Sequence, residues 1–243
     1  MKSIPISKIT NYVEENIYKF HAARLASFKD LKLEHILKRK NPYLFRAKNV
    51  LTSESLIRAL LDAHLSSNEE TKFGEFFEKL AIFISETAAD GKKSSTEGID
   101  LEFKRGGKRY IVSVKSGPNW GNSGQIKKMI QNFKTAKKVL RANNPDSEIV
   151  AVNGCCYGRD SNPDKGDYYK YCGQAFWEFI SGSSSLYIDL IVPIGHKAKE
   201  KNQEFLIEYS RIVNLFTSEF SGKFCKDGKI DWETLVKFNS SKK

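Results

Sequence analysis

The chain has 243 residues, enough for one large domain with a real core, and its 40 Lys and Arg against 29 Asp and Glu leave a net charge of +11, which favours a polyanionic partner, nucleic acid first. No apolar run is long enough to cross a bilayer and the start, MKSIPISKITNYVEENIYKF, lacks the apolar centre of a signal peptide, so no membrane association is expected and the cytoplasm is the expected location. Cys155, Cys156, Cys172 and Cys225 form no CxxC pair and the histidines are scattered, so zinc and imidazole-centred chemistry find no support.

Residues 7–28 and 53–66 carry apolar positions at helical spacing, the second with Ser53 or Ser55 as a cap. Between them LKRKNPYLFRAKN reads as a basic loop over residues 38–48, with Tyr43 and Phe45 interleaved and Pro42 barring a regular helix through it. Lys38, Arg39, Lys40 and Arg46 suit phosphate contact there, the alternative being a solvated loop pinned by its two aromatics. TKFGEFFEKLAIFISETA then places Phe73, Phe76, Phe77, Leu80, Ala81 and Ile84 on one helical stripe, with Glu75 and Glu78 on its flank.

A polar loop over 90–97 leads to GIDLEFKRGGKRYIVSVKSG, a β-rich run folded at Gly106-Gly107. Next come the Gly/Asn-rich GPNWGNSGQ and a helix from about Ser123 to Leu140. Ile126, Met129, Ile130, Phe133 and Leu140 form that helix's core side, and Lys127, Lys134, Lys138 and Arg141 a cationic stripe. SEIVAVNGCCYG reads as a buried strand, CCYGRDSNPDKGDYYKYCG as a polar loop with groups able to bond base edges, and GQAFWEFISG as a short helix. SLYIDLIVPIG reads as a further strand stopped at Pro193, and residues 198–220 as an amphipathic helix. The expected fold is α/β, a mixed central sheet flanked by helices in a single domain: a helical part over 1–70, a core over 71–195 and a helical part over 196–243.

The hairpin carries the chemistry. In a two-residue Gly-Gly turn Arg105 faces Lys108, and counting back sets Asp100 across from Ser113. Side chains alternate, so Asp100, Ser113 and Lys115 share a face, with Cβ atoms roughly 5 Å apart for the opposed pair and about 7 Å for the diagonal to Lys115. Leu101, Phe103, Tyr110, Val112 and Val114 point to the core, while Glu102 and Ile111 lie on the polar side. A carboxylate and an ammonium so placed can hold a divalent metal, a scissile phosphate and an attacking water; Mg²⁺ prefers such hard oxygen donors. The alternative is an ordinary exposed cross-strand Asp and Lys pair.

With an acidic helix upstream and a lysine-striped helix downstream, GEFFE, GID, SVK and GQIKKMIQNF follow the order of the PD-(D/E)xK nuclease superfamily. The phrases KRKNPYLFRAKN, SVKSGPNWGNSGQIKK and VNGCCYG make the chain similar to the PmeII-type group of type II restriction endonucleases over most of its length. Ser113 departs from the pattern, standing where a second carboxylate is usual, and no Pro precedes Asp100. The resemblance implies a restriction-endonuclease-like fold, Asp100 as metal ligand, Lys115 as catalytic lysine, the Val114 carbonyl reaching Mg²⁺, and Glu78 supplying the missing charge, with Glu75 and Glu102 as substitutes. It also implies a homodimer cutting double-stranded DNA and a companion DNA methyltransferase.

Asn119, Asn122, Ser123 and Gln125 lie near a helix start suited to phosphate, followed by Lys127 and Lys128, although Asn122 and Gln125 also have capping-box spacing. Trp120 either wedges against DNA or closes the core, and the core is the expected place. Three rival functions remain open: a repair or recombination nuclease reading DNA structure, an inactive DNA-binding module in which Ser113 marks a dead site, and a basic interaction protein with no nucleic-acid role.

Overall fold

In a computed structural model, which describes residues 4–143 and 148–242, the elements run α1 (Ile6–Ala26), α2 (Leu33–Arg39), α3 (Pro42–Ala47), α4 (Ser53–Ala89), β1 (Lys92–Lys93), β2 (Leu101–Arg105), β3 (Lys108–Lys115), α5 (Ser123–Asn143), β4 (Glu148–Cys155), β5 (Tyr169–Cys172), α6 (Gln174–Ser181), α7 (Leu186–Asp189), α8 (Ile191–Ile194), α9 (Ala198–Phe224), β6 (Cys225–Lys226), β7 (Lys229–Ile230) and α10 (Trp232–Ser240). Two compact units result, one from the residues up to Ile17 with Phe73–His196, the other from Tyr18–Lys72 with the residues from Lys197 onward.

The first unit is built on a mixed five-stranded sheet in the order β1-β2-β3-β4-β5. β1, β2 and β3 run antiparallel, and β3, β4 and β5 run parallel. Gly106 and Gly107 take φ of +55° and +76°, the turn in which both central residues need positive φ, and Arg105 duly pairs with Lys108. The register continues to Leu101 opposite Val112, and the Asp100 N–H donates to the Val112 carbonyl at 2.9 Å. β3 and β4 are parallel, so the chain must cross the sheet between them, and α5 is that crossover.

Both faces of the sheet are covered. Met129, Phe133, Ala136 and Leu140 of α5 pack on Ile111, Ile149 and Ala151, while Phe179 of α6 meets Phe103 and Tyr110 at ring separations of 5.3 and 5.2 Å. The expectation that Ile111 lies on a polar face is therefore corrected: α5 buries it completely, because the alternation that turns Ile111 away from Val112 turns it toward the crossover helix.

Four further expectations change. SLYIDLIVPIG is not a strand but α7 and α8; its buried residues are Leu186, Leu190 and Pro193, spaced as a helix face and not in alternation, while Ile188, Ile191 and Val192 are exposed. The basic loop is mostly helical: Pro42 separates α2 from α3 and then occupies the first turn of α3, where its missing N–H costs nothing, with Asn41 Oδ1 capping Tyr43 and Leu44. Phe45 is buried but Tyr43 is exposed. Residues 53–66 and 71–88 belong to one helix, α4, since SSNEETK between them contains neither Gly nor Pro to end it. The polar loops expected over 90–97 and 155–173 also donate edge strands β1 and β5. Ser147, where the strand SEIVAVNGCCYG was expected to start, lies outside the described residues.

The second unit packs α2, α3, the first half of α4, α9 and α10 around Phe28, Ile36, Leu60, Ile212, Phe216 and Phe220. No helix among the described residues is long and apolar enough to cross a membrane.

Candidate active site

The hairpin end opposite its turn gathers the expected groups. Asp100 sits just before β2, held by Gly98 at φ +74°, a position where any Cβ would overlap the Asn132 side chain. Its Oδ2 accepts the Val114 N–H at 2.6 Å and the Ser113 hydroxyl at 3.4 Å, and the Lys115 ammonium stands 4.0 Å away. Along a strand the N–H and C=O of one residue turn to the same side. The Val114 N–H turns to Asp100, so the Val114 carbonyl turns that way too, beyond the end of β2. The neighbouring carbonyls face the other edge: Lys115 O accepts from the Cys156 N–H at 2.9 Å and Ser113 O from Asn153 Nδ2 at 3.2 Å.

α4 brings the second acid. Gly74 lies against the Ser116 hydroxyl, and Glu78 follows one turn later on the same side. Burial pushes the Glu78 carboxyl above the ordinary glutamate range, and the Asp100 charge pushes it further, against the pull of Lys93, Lys115 and Lys79. Asp100 is also raised, by burial first, with Lys115, the Val114 N–H, Ser113 and Lys93 acting to lower it. Two desolvated carboxylates near one another favour a cation between them more than either favours the other.

The remaining acids separate cleanly. Glu102 is buried and committed, accepting from Arg109 Nη2 at 2.7 Å and Nε at 3.2 Å with Lys92 Nζ at 3.2 Å. Glu75 is exposed on α4. Ser113 is buried and serves as a donor to Asp100, contributing orientation and no charge.

Trp120 lies where it was expected, packed against the α5 core. Its indole N–H donates to Asn153 Oδ1 at 3.1 Å, and Lys115 Nζ stands 5.2 Å from its ring centroid, within cation–π range. Asn153 was missed by sequence reasoning, although a polar residue inside the apolar run IVAVNGCC is itself a signal of a buried hydrogen-bonding role. Lys93, which acts on both carboxyls, was also missed; in the polar patch KKSST nothing marks it as an edge-strand residue.

Residues 7–202 match the family model of the type II restriction endonuclease EcoO109I, more than half of the chain. The chain belongs to this family. It is accordingly a DNA-binding restriction endonuclease, an enzyme that hydrolyses DNA phosphodiester bonds. A search of curated proteins finds no match.

For this endonuclease the residues expected at DNA are distributed over both units. Asn119, Ser123, Lys127 and Lys128 are exposed at and beyond the start of α5. Asn122 and Gln125 close a capping box, with N–H to side-chain oxygen distances of 2.9 and 3.1 Å, a use that takes their oxygens and not their NH₂ groups. Lys38, Arg39, Lys40 and Arg46 belong to the second unit, where the Arg46 guanidinium lies 5.9 Å from the Trp232 ring centroid.

Proposed function

We propose that the chain is a Mg²⁺-dependent type II restriction endonuclease of the PD-(D/E)xK superfamily, PmeII-type group, which acts in the cytoplasm as a homodimer on double-stranded DNA at a short recognition sequence, beside a cognate DNA methyltransferase. The observation that carries this reading is the convergence of Asp100, Glu78 and Lys115 at one end of the hairpin, with both carboxyls pushed upward by burial and Glu78 also by the Asp100 charge.

The donor set fits Mg²⁺: Asp100 and Glu78 offer hard carboxylate oxygens and Val114 a carbonyl on the same side, with phosphate and water oxygens to complete an octahedron. Bound there, the ion would neutralise charge on the scissile phosphate. Glu78 restores the negative charge that Ser113 does not supply. The Val114 N–H and the Ser113 hydroxyl fix the Asp100 carboxylate, so that it meets its ligand without reorganising. Lys115 orients the attacking water and offsets the charge that builds on phosphorus. Water attacks phosphorus, the bond to the leaving oxygen breaks, and no covalent enzyme intermediate forms. Two copies related by a two-fold axis suit a palindromic site and the cutting of both strands.

Asp100→Ala and Lys115→Ala are expected to abolish plasmid cleavage in Mg²⁺ while duplex binding persists. Cleavage at the wild-type rate by either purified variant refutes the assignment. Discrete fragments from wild-type digestion distinguish a sequence-specific enzyme from one that reads DNA structure, which leaves intact duplex largely uncut. Tight cognate binding without any cleavage identifies an inactive module.

A further inference from the structure

The second unit contains a cleft of about 600 Å³ between α2 and the first half of α4, unrelated to the carboxylate site. Its walls follow from two amphipathic patterns. On α2, Leu33, Ile36 and Leu37 are buried, which leaves His35 and Arg39 on the cleft side, with Lys32 just before the helix. On α4, Leu60, Leu61 and Leu65 are buried, which leaves His64 and Lys72, two turns apart, on the cleft side with small polar residues between them. Lys40 closes the end, and Asp30 is the acid among the lining residues.

From this arrangement we propose that the cleft seats backbone phosphates of the DNA duplex. The inference rests on the nuclease reading and deepens it, assigning DNA contact to the unit that lacks the paired carboxylates.

Three observations support it. Lys32, Arg39 and Lys40 converge with two histidines on a cleft with one carboxylate, an arrangement whose self-repulsion is relieved by an anion. Elsewhere in the same unit several basic residues are neutralised locally: Arg58 by Glu54 at 2.8 Å, Arg24 by Glu69 at 2.6 Å and Lys237 by Glu233 at 2.6 Å. Among the described residues Lys32, Arg39 and Lys40 form no such ion pair. The cleft is also partly open to solvent and about half of its lining is polar, which suits a phosphate chain more than an enclosed apolar ligand.

His64 adds a proton to the binding. Burial, then the Lys40 and Arg39 charges, hold it below the ordinary histidine range, with His35, Lys32, Lys72 and Asp30 also lining the space it faces. A phosphate seated between these cations reverses the local field and favours the protonated imidazole. Binding then takes up a proton, so duplex affinity rises as the pH falls through the bound-state value.

The test is duplex affinity by fluorescence anisotropy without divalent metal, over a salt series, for the wild type and an Arg39→Ala/Lys40→Ala double variant, with circular dichroism to verify the fold. Each phosphate contact contributes a slope of about 0.9 in log K against log salt, so the double variant is expected to have a slope shallower by about 1.8. The affinity gained between about pH 7.5 and about pH 5.5 is expected to vanish in His64→Gln. A folded double variant with wild-type slope and affinity overturns the seat while leaving the nuclease reading intact. Absence of salt-dependent duplex affinity in the wild type overturns both. If inorganic phosphate moves the His64 imidazole proton resonance and duplex DNA does not, the cleft holds a small anion and the backbone assignment is wrong.

Discussion

The two ends of the β2–β3 hairpin carry the same kinds of side chain and treat them differently. Toward the turn, Glu102 is buried yet satisfied, with Arg109 at 2.7 Å and Lys92 at 3.2 Å absorbing its charge. At the far end Asp100 has its nearest ammonium at 4.0 Å, and the neighbouring acid, Glu78, is another carboxylate. Burial pushes both of these carboxyls upward, and among the described residues no short ion pair restores them. A buried acid with its cation in contact holds a fold together; a buried acid facing another acid is poised for a ligand. Residue type and strand position do not separate the two cases, because Asp100 and Glu102 are two residues apart and project to the same side of β2.

Exchanging the charge at each end gives the largest contrast. Glu78→Gln is expected to lower the single-turnover cleavage rate by about a hundredfold or more, the scale of losing one preorganised electrostatic group in a site. Glu102→Gln is expected to leave that rate within a few-fold and instead to destabilise the protein by about 1–3 kcal/mol in urea unfolding, since it weakens charged hydrogen bonds from a partly buried Arg109. The opposite pattern would transfer the second-carboxylate role to Glu102.

Local rules carried the hairpin and failed where packing decides. A Gly-Gly pair demands a turn with positive φ, and that one constraint propagates the register as far as Asp100, which is why the Asp100, Ser113 and Lys115 grouping follows from the residues alone. Whether the polar face is open depends on α5, a tertiary fact, and Ile111 turned out buried. The run from Ser185 to Gly195 is rich in β-formers, and propensity favours a strand; the i, i+4, i+7 spacing of Leu186, Leu190 and Pro193 carries the helical answer. Glu78 was placed on a flank by periodicity, but its approach to Asp100 depends on the long-range packing of α4 near Ser116. Asn153 and Lys93 lie on strands whose pairing no local turn specifies, so the sequence offers no register from which to count them.

A smaller effect separates holding the amine from building the core. Trp120 offers its ring face to Lys115 and is tied through its indole N–H to Asn153, whose amide in turn bonds the Ser113 carbonyl. If Lys115 is the catalytic lysine, these contacts make Trp120 a positioning residue. Trp120→Leu is expected to reduce kcat about tenfold with KM for DNA nearly unchanged, and Trp120→Phe, which keeps a ring face, to recover part of the loss. A parallel fall in stability for both variants with no difference in kcat between them would reduce Trp120 to packing alone.

The least drastic change tests the raised carboxyls through the fold itself. An acid whose folded pKa exceeds its unfolded value binds more protons folded than unfolded, so stability is highest below the unfolded value and declines as the pH rises through the folded one. Asp100 meets this condition because burial outweighs Lys115, Val114 and Ser113. Asp100→Asn removes the charge and keeps an oxygen able to accept the Val114 N–H, so in the absence of Mg²⁺ the variant is expected to melt a few degrees above the wild type at about pH 8, the shift that about 1 kcal/mol produces in a chain of this size. The difference should close as the pH falls through the raised folded value of the carboxyl, where the wild type takes up its proton. If the site holds Mg²⁺ as proposed, the ion should stabilise the wild type and not the variant, which lacks the Asp100 charge. A wild type that melts above Asp100→Asn at about pH 8 without metal would mean that the Lys115 pair compensates the buried charge after all, and the two ends of the hairpin would then differ in geometry but not in electrostatic kind.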